Sequence, residues 1–200
     1  MILAFDTSSA ACTAALFDGE GACVARADEV IGRGHAERLV PMLDELLDGR
    51  KADRIVVGVG PGSFTGIRVA IAAAHGLAIG WDAELSGMSS LGLLAASAND
   101  DDEIATAVQG GHGELFVQQF EHGAATSDLL NLPPAAAAAV TSASVVIGSG
   151  AQQLVADRGW GEAREALPSA ANLMKVAADL RSLAAKPIYA RAPDAKAKAA

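Results

Sequence analysis

Apolar positions in the first third of the chain fall into short unbroken runs. Ile2 to Phe5, Thr13 to Phe17 and Ala22 to Ala27 are separated by the polar turns Asp6-Thr7-Ser8-Ser9 and Asp18-Gly19-Glu20-Gly21. This predicts a meander of three strands. The period then changes. Leu39, Leu43 and Leu46, widened by Val40 and Leu47, form one apolar stripe over His35–Leu47, with Arg38 and acids opposite, and predict a helix. Pro41 removes one backbone donor near its second turn and can kink it, and Gly49 is a stop signal.

Ile55 to Gly80 is the stretch around which the chain is organised. Ile55, Val56 and Val57 are β-branched and uninterrupted, as in a strand covered on both faces. Gly58, Gly60, Gly62 and Gly66, with Pro61, Ser63 and Thr65, make a turn-rich loop. Ile67 to Ile79 is apolar or small almost throughout, a helix packed on most of its surface. Such a strand-to-helix turn presents free N–H groups and the positive end of a helix dipole, where an anion or a close backbone can sit. A phosphate-cradling P-loop needs Lys-Ser/Thr after its last glycine, and here Ile67 and Arg68 follow Gly66. The dinucleotide fingerprint fails as well, because Gly60, Gly62 and Gly66 are spaced one residue too wide. Two readings stay open at this loop: ligand contact, or a tight connection that uses glycine for positive φ and close packing.

The rest of the chain repeats the mixture. Glu84 to Gly87 is a short strand, and Met88 to Ala98 a helix capped by Ser89 or Ser90. Asn99-Asp100-Asp101-Asp102-Glu103 is a polar break. Ile104 to Val108 and Leu115 to Phe120 form a hairpin around Gly110-Gly111-His112-Gly113. Pro133-Pro134 opens a short helix through Val140. Val145 to Ile147 is a strand, Ala151 to Arg158 a helix, and Ala171 to Ala185 a helix facing inward with Leu173, Val176, Ala177, Leu180 and Leu183 or Ala184. The predicted organisation is α/β: residues 1–99 as an N-terminal lobe, 100–185 as a smaller C-terminal lobe, and 186–200 as an extended basic tail.

Composition refines this picture. The chain has 200 residues, 51% of them hydrophobic, with 21 glycines and only 4% aromatic residues, which suits tight packing around small side chains. MILAFDTSS has no basic leader region, no stretch reaches ~18 apolar residues free of glycine and charge, and a cytosolic protein is expected. The formal charge of −9 disfavours autonomous nucleic-acid binding. From Lys175 onward the balance is +4, so the tail is either solvated or an RNA contact within an assembly. Cys12 and Cys23 are expected to be reduced core residues, since the turn at Gly19 puts Cys23 opposite roughly Leu16. Asp6, with Thr7 and Ser8, can bind a metal–nucleotide or cap its own turn. Ser63 or Ser8 as a hydrolytic nucleophile needs a histidine base, and no local signature supplies one.

The assembled motifs resemble the TsaB (YeaZ) family over nearly the whole chain. The most specific block is Gly60-Pro61-Gly62-Ser63-Phe64-Thr65-Gly66-Ile67-Arg68, followed by Gly76-Leu77-Ala78. Similar too are Ile2 to Ser8, His35 with Leu39-Val40-Pro41-Met42, Gly113-Glu114-Leu115-Phe116, and Pro187-Ile188-Tyr189-Ala190-Arg191. The hairpin departs from the pattern: many relatives read Asp-Ala-Arg before Gly-Glu, where this chain reads Gln109-Gly110-Gly111-His112.

The resemblance implies a two-lobed, actin/sugar-kinase-like (ribonuclease H-like) fold. It also implies a role without catalysis of its own, as scaffold of the machinery that makes threonylcarbamoyladenosine beside the tRNA anticodon. The partners implied are a TsaD-type catalytic subunit and a TsaE-type ATPase, with a homodimer when the protein is alone, tRNA met only through the complex, and no membrane. His35, His75, His112 and His122 never stand one helical turn apart, so the metal-holding pair of TsaD-type catalysis is not expected, nor any cofactor. Asp6, Thr7, Ser8, Gly60, Gly62, Ser63, Thr65 and Gly66 are then a degenerate nucleotide or phosphate loop, because Thr7-Ser8-Ser9 stands where nucleotide-binding relatives carry glycine. The partner interface is expected at His35, Leu39, Val40, Leu43, Ile67, Ile71 and His75, so that aspartate at Leu43 or Ile71 abolishes pairing. The alternatives are an autonomous nucleotide-using enzyme of the same fold and a glycopeptidase-like hydrolase.

Overall fold

A computed structural model describes residues 1–98 and 103–189. The acidic break at 99–102 and the tail beyond 189 lie outside the described residues. The first half forms β1 (Ile2–Asp6), β2 (Ala11–Phe17), β3 (Cys23–Val30), α1 (His35–Leu47), β4 (Arg54–Gly58), α2 (Phe64–Trp81), β5 (Glu84–Met88) and α3 (Ser90–Ala95). Its five-stranded sheet has the order β3-β2-β1-β4-β5. The meander β1–β3 is antiparallel, whereas β4 and β5 join in parallel through their crossover helices.

The second half forms β6 (Glu103–Gln109), β7 (Leu115–Glu121), β8 (Ala124–Ala125), β9 (Leu130–Leu132), α4 (Pro134–Val140), β10 (Val145–Ile147), α5 (Ala151–Arg158) and β11 (Glu162–Arg164). Its sheet runs β11-β10-β6-β7-β8, with β9 also paired to β7. Two mixed sheets with flanking helices give the two-lobed α/β architecture that the sequence implied.

Both faces of the first sheet are covered, which explains its unbroken apolar runs. Leu3, Phe5, Ile55 and Val57 point to α1 and α2, which supply Leu39, Met42, Leu43, Ile67, Ala70 and Ile71. Ala4, Phe17 and Val56 point the other way, to Leu93 of α3 and to Ala170, Leu173 and Val176. Each large apolar side chain taken fully out of water contributes about 1.5–3 kcal/mol. In the second lobe, α3 covers one face with Leu91 and Leu94 against Ile104, Phe116 and Phe120. The other face packs Ala105, Ala107 and Val146 on Ala137, Ala151 and Leu154 of α4 and α5.

Two expectations are corrected here. The helix expected over Ala171 to Ala185 is instead a pair of 3₁₀ segments, Ala170–Lys175 and Ala178–Arg181, with Ala177 extended between them. Spacing of three, as between Leu173 and Val176, suits a 3₁₀ turn as well as an α-helix. Tertiary contacts decide: Ala170 N donates to Thr13 Oγ1 at 2.8 Å, and Leu183 pairs with Gly87 at the edge of β5. The segment is thereby drawn across the first sheet. The second correction is Cys23, which is exposed and pairs with Phe17 at a bulge, while Cys12 is buried.

Candidate functional site

The parallel pairing of β1 with β4, in the register Phe5↔Val57, brings the two candidate turns side by side at the strand ends. Asp6, Thr7 and Ser8 are buried there. Asp6 Oδ1 accepts from Ser8 N at 2.6 Å, and Oδ2 accepts from Ser90 Oγ at 2.5 Å. Ser8 Oγ in turn donates to Ser90 Oγ at 2.8 Å. Thr7 Oγ1 donates to the Gly66 carbonyl at 2.7 Å, and Ser63 N donates to the Ser8 carbonyl at 2.6 Å. Ser63 also caps α2, its Oγ accepting from Gly66 N at 3.2 Å.

These contacts account for the glycines by close packing. A Cβ on Gly58 would overlap the Asp6 carboxyl, one on Gly62 the Ser8 carbonyl, and one on Gly66 the Thr7 carbonyl. The glycines allow the two turns to close on each other, and Gly62, at φ 154°, also occupies backbone that side chains rarely adopt. The loop spends its polar groups on the protein itself. Ser63 and Thr65 remain exposed, at the rim of an open cleft of about 400 Å³ between the starts of α1 and α2. Gly32, Arg33, Gly34 and His35 form its other wall.

The second lobe closes a turn in the same way. Gly150 N donates to the Ala107 carbonyl at 2.9 Å, a Cβ on Gly148 would overlap that same oxygen, and Ser149 Oγ accepts from Gln109 N at 3.1 Å. Gln109 thus serves, through its backbone, to anchor that turn beside the departing hairpin.

Of the seven residues expected at a partner interface, only Val40 and His75 are exposed. Leu39, Leu43, Ile67 and Ile71 lie in the core between α1, α2 and the first sheet. His35 is buried too, with Nε2 3.3 Å from the Ala11 carbonyl. The apolar stripe of α1 is therefore used up by its own lobe. The outer side of α1 is polar: Arg38 bridges Glu29 at 2.6 Å and Glu45 at 3.0 Å. Its hydrogen bonds hold both carboxyls below their ordinary range.

The surplus apolar surface lies on α2, which buries only five of its 18 residues although nearly all are apolar or small. Among the described residues this helix alone is long and apolar enough to cross a membrane by length and composition. In the fold it packs Ile67, Ala70, Ile71 and Ala74 inward. Its outer face carries Phe64, Arg68, Ala72, His75, Gly76 and Ile79, the last 83% exposed. The Arg68 guanidinium lies 3.5 Å from the Phe64 ring centroid, and its Nε donates to Tyr189 Oη at 3.1 Å. Sequence reasoning missed this aromatic–guanidinium cluster, since Tyr189 arrives from far along the chain. It also missed Ser90 as the partner of Asp6. The signal that was available is the pair of glycines at 76 and 80, which face nothing within 4 Å.

Fold and site together define a class: a two-lobed α/β protein with two mixed sheets, with its strand-end turns packed shut and its unspent apolar surface on one helix. Known proteins narrow the class. A family model described as "TsaD: tRNA N6-adenosine threonylcarbamoyltransferase" matches residues 28–196. The chain is 34% identical to the "tRNA threonylcarbamoyladenosine biosynthesis protein TsaB" of Haemophilus influenzae over 136 residues, which are 64% of this chain and 56% of that protein. The chain thus spans about half the length of the curated TsaB relatives it matches. It is 32% identical to an uncharacterized protein of Mycobacterium tuberculosis across 98% of this chain and 93% of the other. The solved structure of YeaZ from Pseudomonas aeruginosa superposes with a TM-score of 0.79 at 29% identity, covering 94% of this chain and 99% of that one. The chain belongs to the TsaB (YeaZ) family.

Proposed function

We propose that the protein acts in the biosynthesis of threonylcarbamoyladenosine in tRNA, as a scaffold subunit without catalysis of its own. It pairs with a TsaD-type catalytic subunit, works alongside a TsaE-type ATPase, and forms a homodimer when alone. The observation that carries this reading is the outer face of α2. An apolar helix that its own fold covers on one side only is unfavourable in water unless a partner completes it. Gly76 and Gly80 point the same way: glycine in an exposed helix interior costs about 1 kcal/mol relative to alanine, and at these two positions it lets another helix backbone approach closely. The interface therefore keeps Val40 and His75, loses His35, Leu39, Leu43, Ile67 and Ile71 to the core, and gains Phe64, Ala72, Gly76 and Ile79.

The closed turns support the absence of catalysis. A phosphate needs backbone N–H groups that are free, and here Ser8 N and Ser63 N are engaged by Asp6 and by the Ser8 carbonyl. Among the described residues, neither serine weighed as a nucleophile has a histidine as a hydrogen-bond partner: Ser8 Oγ bonds Ser90, and Ser63 Oγ caps α2.

Size-exclusion chromatography with light scattering tests the proposal, on the protein alone and mixed with the TsaD-type protein of the same source. A homodimer that exchanges for a heterodimer is the expected result. A protein that ignores the TsaD-type subunit, and whose melting temperature rises clearly with Mg-ATP, is instead a nucleotide-using enzyme.

A further inference from the structure

We propose that the Asp6 turn is a joint that holds the docking end of α2 in register with the second lobe, and that Ser90 is its positioning residue. The inference rests on the proposed partner role of α2. Three elements meet at this point. The end of β1 supplies Asp6, Thr7 and Ser8; the start of α2 supplies Ser63 and Gly66; the start of α3 supplies Ser90. Thr7 Oγ1 holds the Gly66 carbonyl at 2.7 Å, and the Ser8 carbonyl holds Ser63 N at 2.6 Å, so the turn fixes the first residues of α2 and with them Phe64. Ser90 ties α3 to the same turn twice, its Oγ donating to Asp6 Oδ2 and accepting from Ser8 Oγ, and to the glycine loop once, its N donating to the Gly60 carbonyl at 3.0 Å.

From Ser90 the chain runs directly into α3. Leu93 is buried with the first sheet, while Leu91, Leu94 and Ala95 are buried with the second. A movement of α3 therefore reaches the Asp6 turn through the Ser90 hydroxyl, beside a backbone bond from Ser90 to Gly60 that the hydroxyl does not supply. Stability alone does not call for such a network. A carboxyl with no solvent exposure is costly to bury, and apolar side chains of the same volume would pack the site as well. A fully bonded polar cluster instead selects one arrangement of the elements that contribute to it.

The test uses the full-length chain with Ser90→Ala, and Ser90→Thr as the variant that keeps the hydroxyl. Hydrogen exchange is followed at the Gly60–Gly66 loop, the first turn of α2 and α3, and affinity for the TsaD-type subunit is measured by calorimetry. Ser90→Ala is expected to speed exchange at all three places, leave α1 and β6–β10 unchanged, and weaken partner binding about tenfold, the loss expected on removing a buried charge-assisted hydrogen bond. Ser90→Thr is expected to restore both. Faster exchange confined to α3, or partner affinity unchanged in Ser90→Ala, overturns the joint. If the wild-type chain itself binds no TsaD-type subunit, the proposed function fails, and the exchange pattern alone still decides whether the joint exists.

Discussion

Helices α1 and α2 lie together on one face of the first sheet and solve opposite problems. α1 is amphipathic, buries Leu39, Met42, Leu43, Leu46 and Leu47, and turns Arg38 and its acids outward. α2 is apolar or small nearly all round, yet buries only Gly66, Ile67, Ala70, Ile71 and Ala74. The amphipathic helix is finished by its own lobe, and the uniformly apolar one is not. A helix that is apolar on every side is normally enclosed, and this contrast is what motivates the proposed partner on α2.

Placing a charge on each helix separates the two cases most sharply. Leu43→Asp is expected to unfold the lobe, because a charge without a partner replaces a core side chain, with a loss at or above the exceptional range of about 4–5 kcal/mol. Denaturant unfolding checks this, and a folded Leu43→Asp protein would return Leu43 to the interface. Ile79→Lys is expected to do the reverse. Stability should stay within about 0.5 kcal/mol, since Ile79 is exposed and a cation near a helix C-terminus is favourable. Pairing should weaken about a hundredfold if Ile79 is an anchor of the interface, as read by light scattering across a dilution series. An unchanged oligomer would leave the outer face of α2 without a role.

The closed loop at the start of α2 gives a smaller effect. Gly66→Ala puts a methyl into the Thr7 carbonyl and should destabilise by about 1–3 kcal/mol, visible in the melting temperature. Gly76→Ala, on the open side of the same helix, should instead stabilise slightly. Smallest is the pH response of the outer side of α1. Arg38 lowers the carboxyls of Glu29 and Glu45 from their ordinary 4.5, so their contribution is present above that value and fades as the pH falls through the lowered ones. Arg38→Ala should lower the melting temperature slightly at neutrality and converge with the wild type as the pH falls, so that the decline below about pH 4.5 is flatter.

Much of the fold could be read along the chain because it is local. Val145–Ile147 and Ala151–Arg158 fall where the runs and turns place them, and His35–Leu47 follows from its stripe. The strands at Ala124–Ala125, Leu130–Leu132 and Glu162–Arg164 were not foreseen, being too short to carry a period. Residues 170–181 kept their inward side chains but not their helix, because hydrogen bonds to Thr13 and Gly87 set the path. At the candidate site, the sequence marked Asp6 and the glycines but left open what they face. Asp6 meets Ser90, 84 positions away, and Arg68 meets Tyr189, 121 positions away. No local pattern encodes such pairs.

What the sequence determined by itself, then, is the type of the long elements before residue 170, the family through the block at Gly60 to Arg68, and the surplus of apolar residues in Ile67 to Ile79. These are properties of spacing and side-chain chemistry within one turn or one strand. Only the tertiary structure decided which side of that surplus is spent. Ile67 and Ile71 differ from Ile79 in no chemical respect, and the sheet takes two of them and leaves the third in water. It also decided that the glycines serve backbone against backbone, since closeness between Gly62 and Ser8 exists only once β1 and β4 lie side by side.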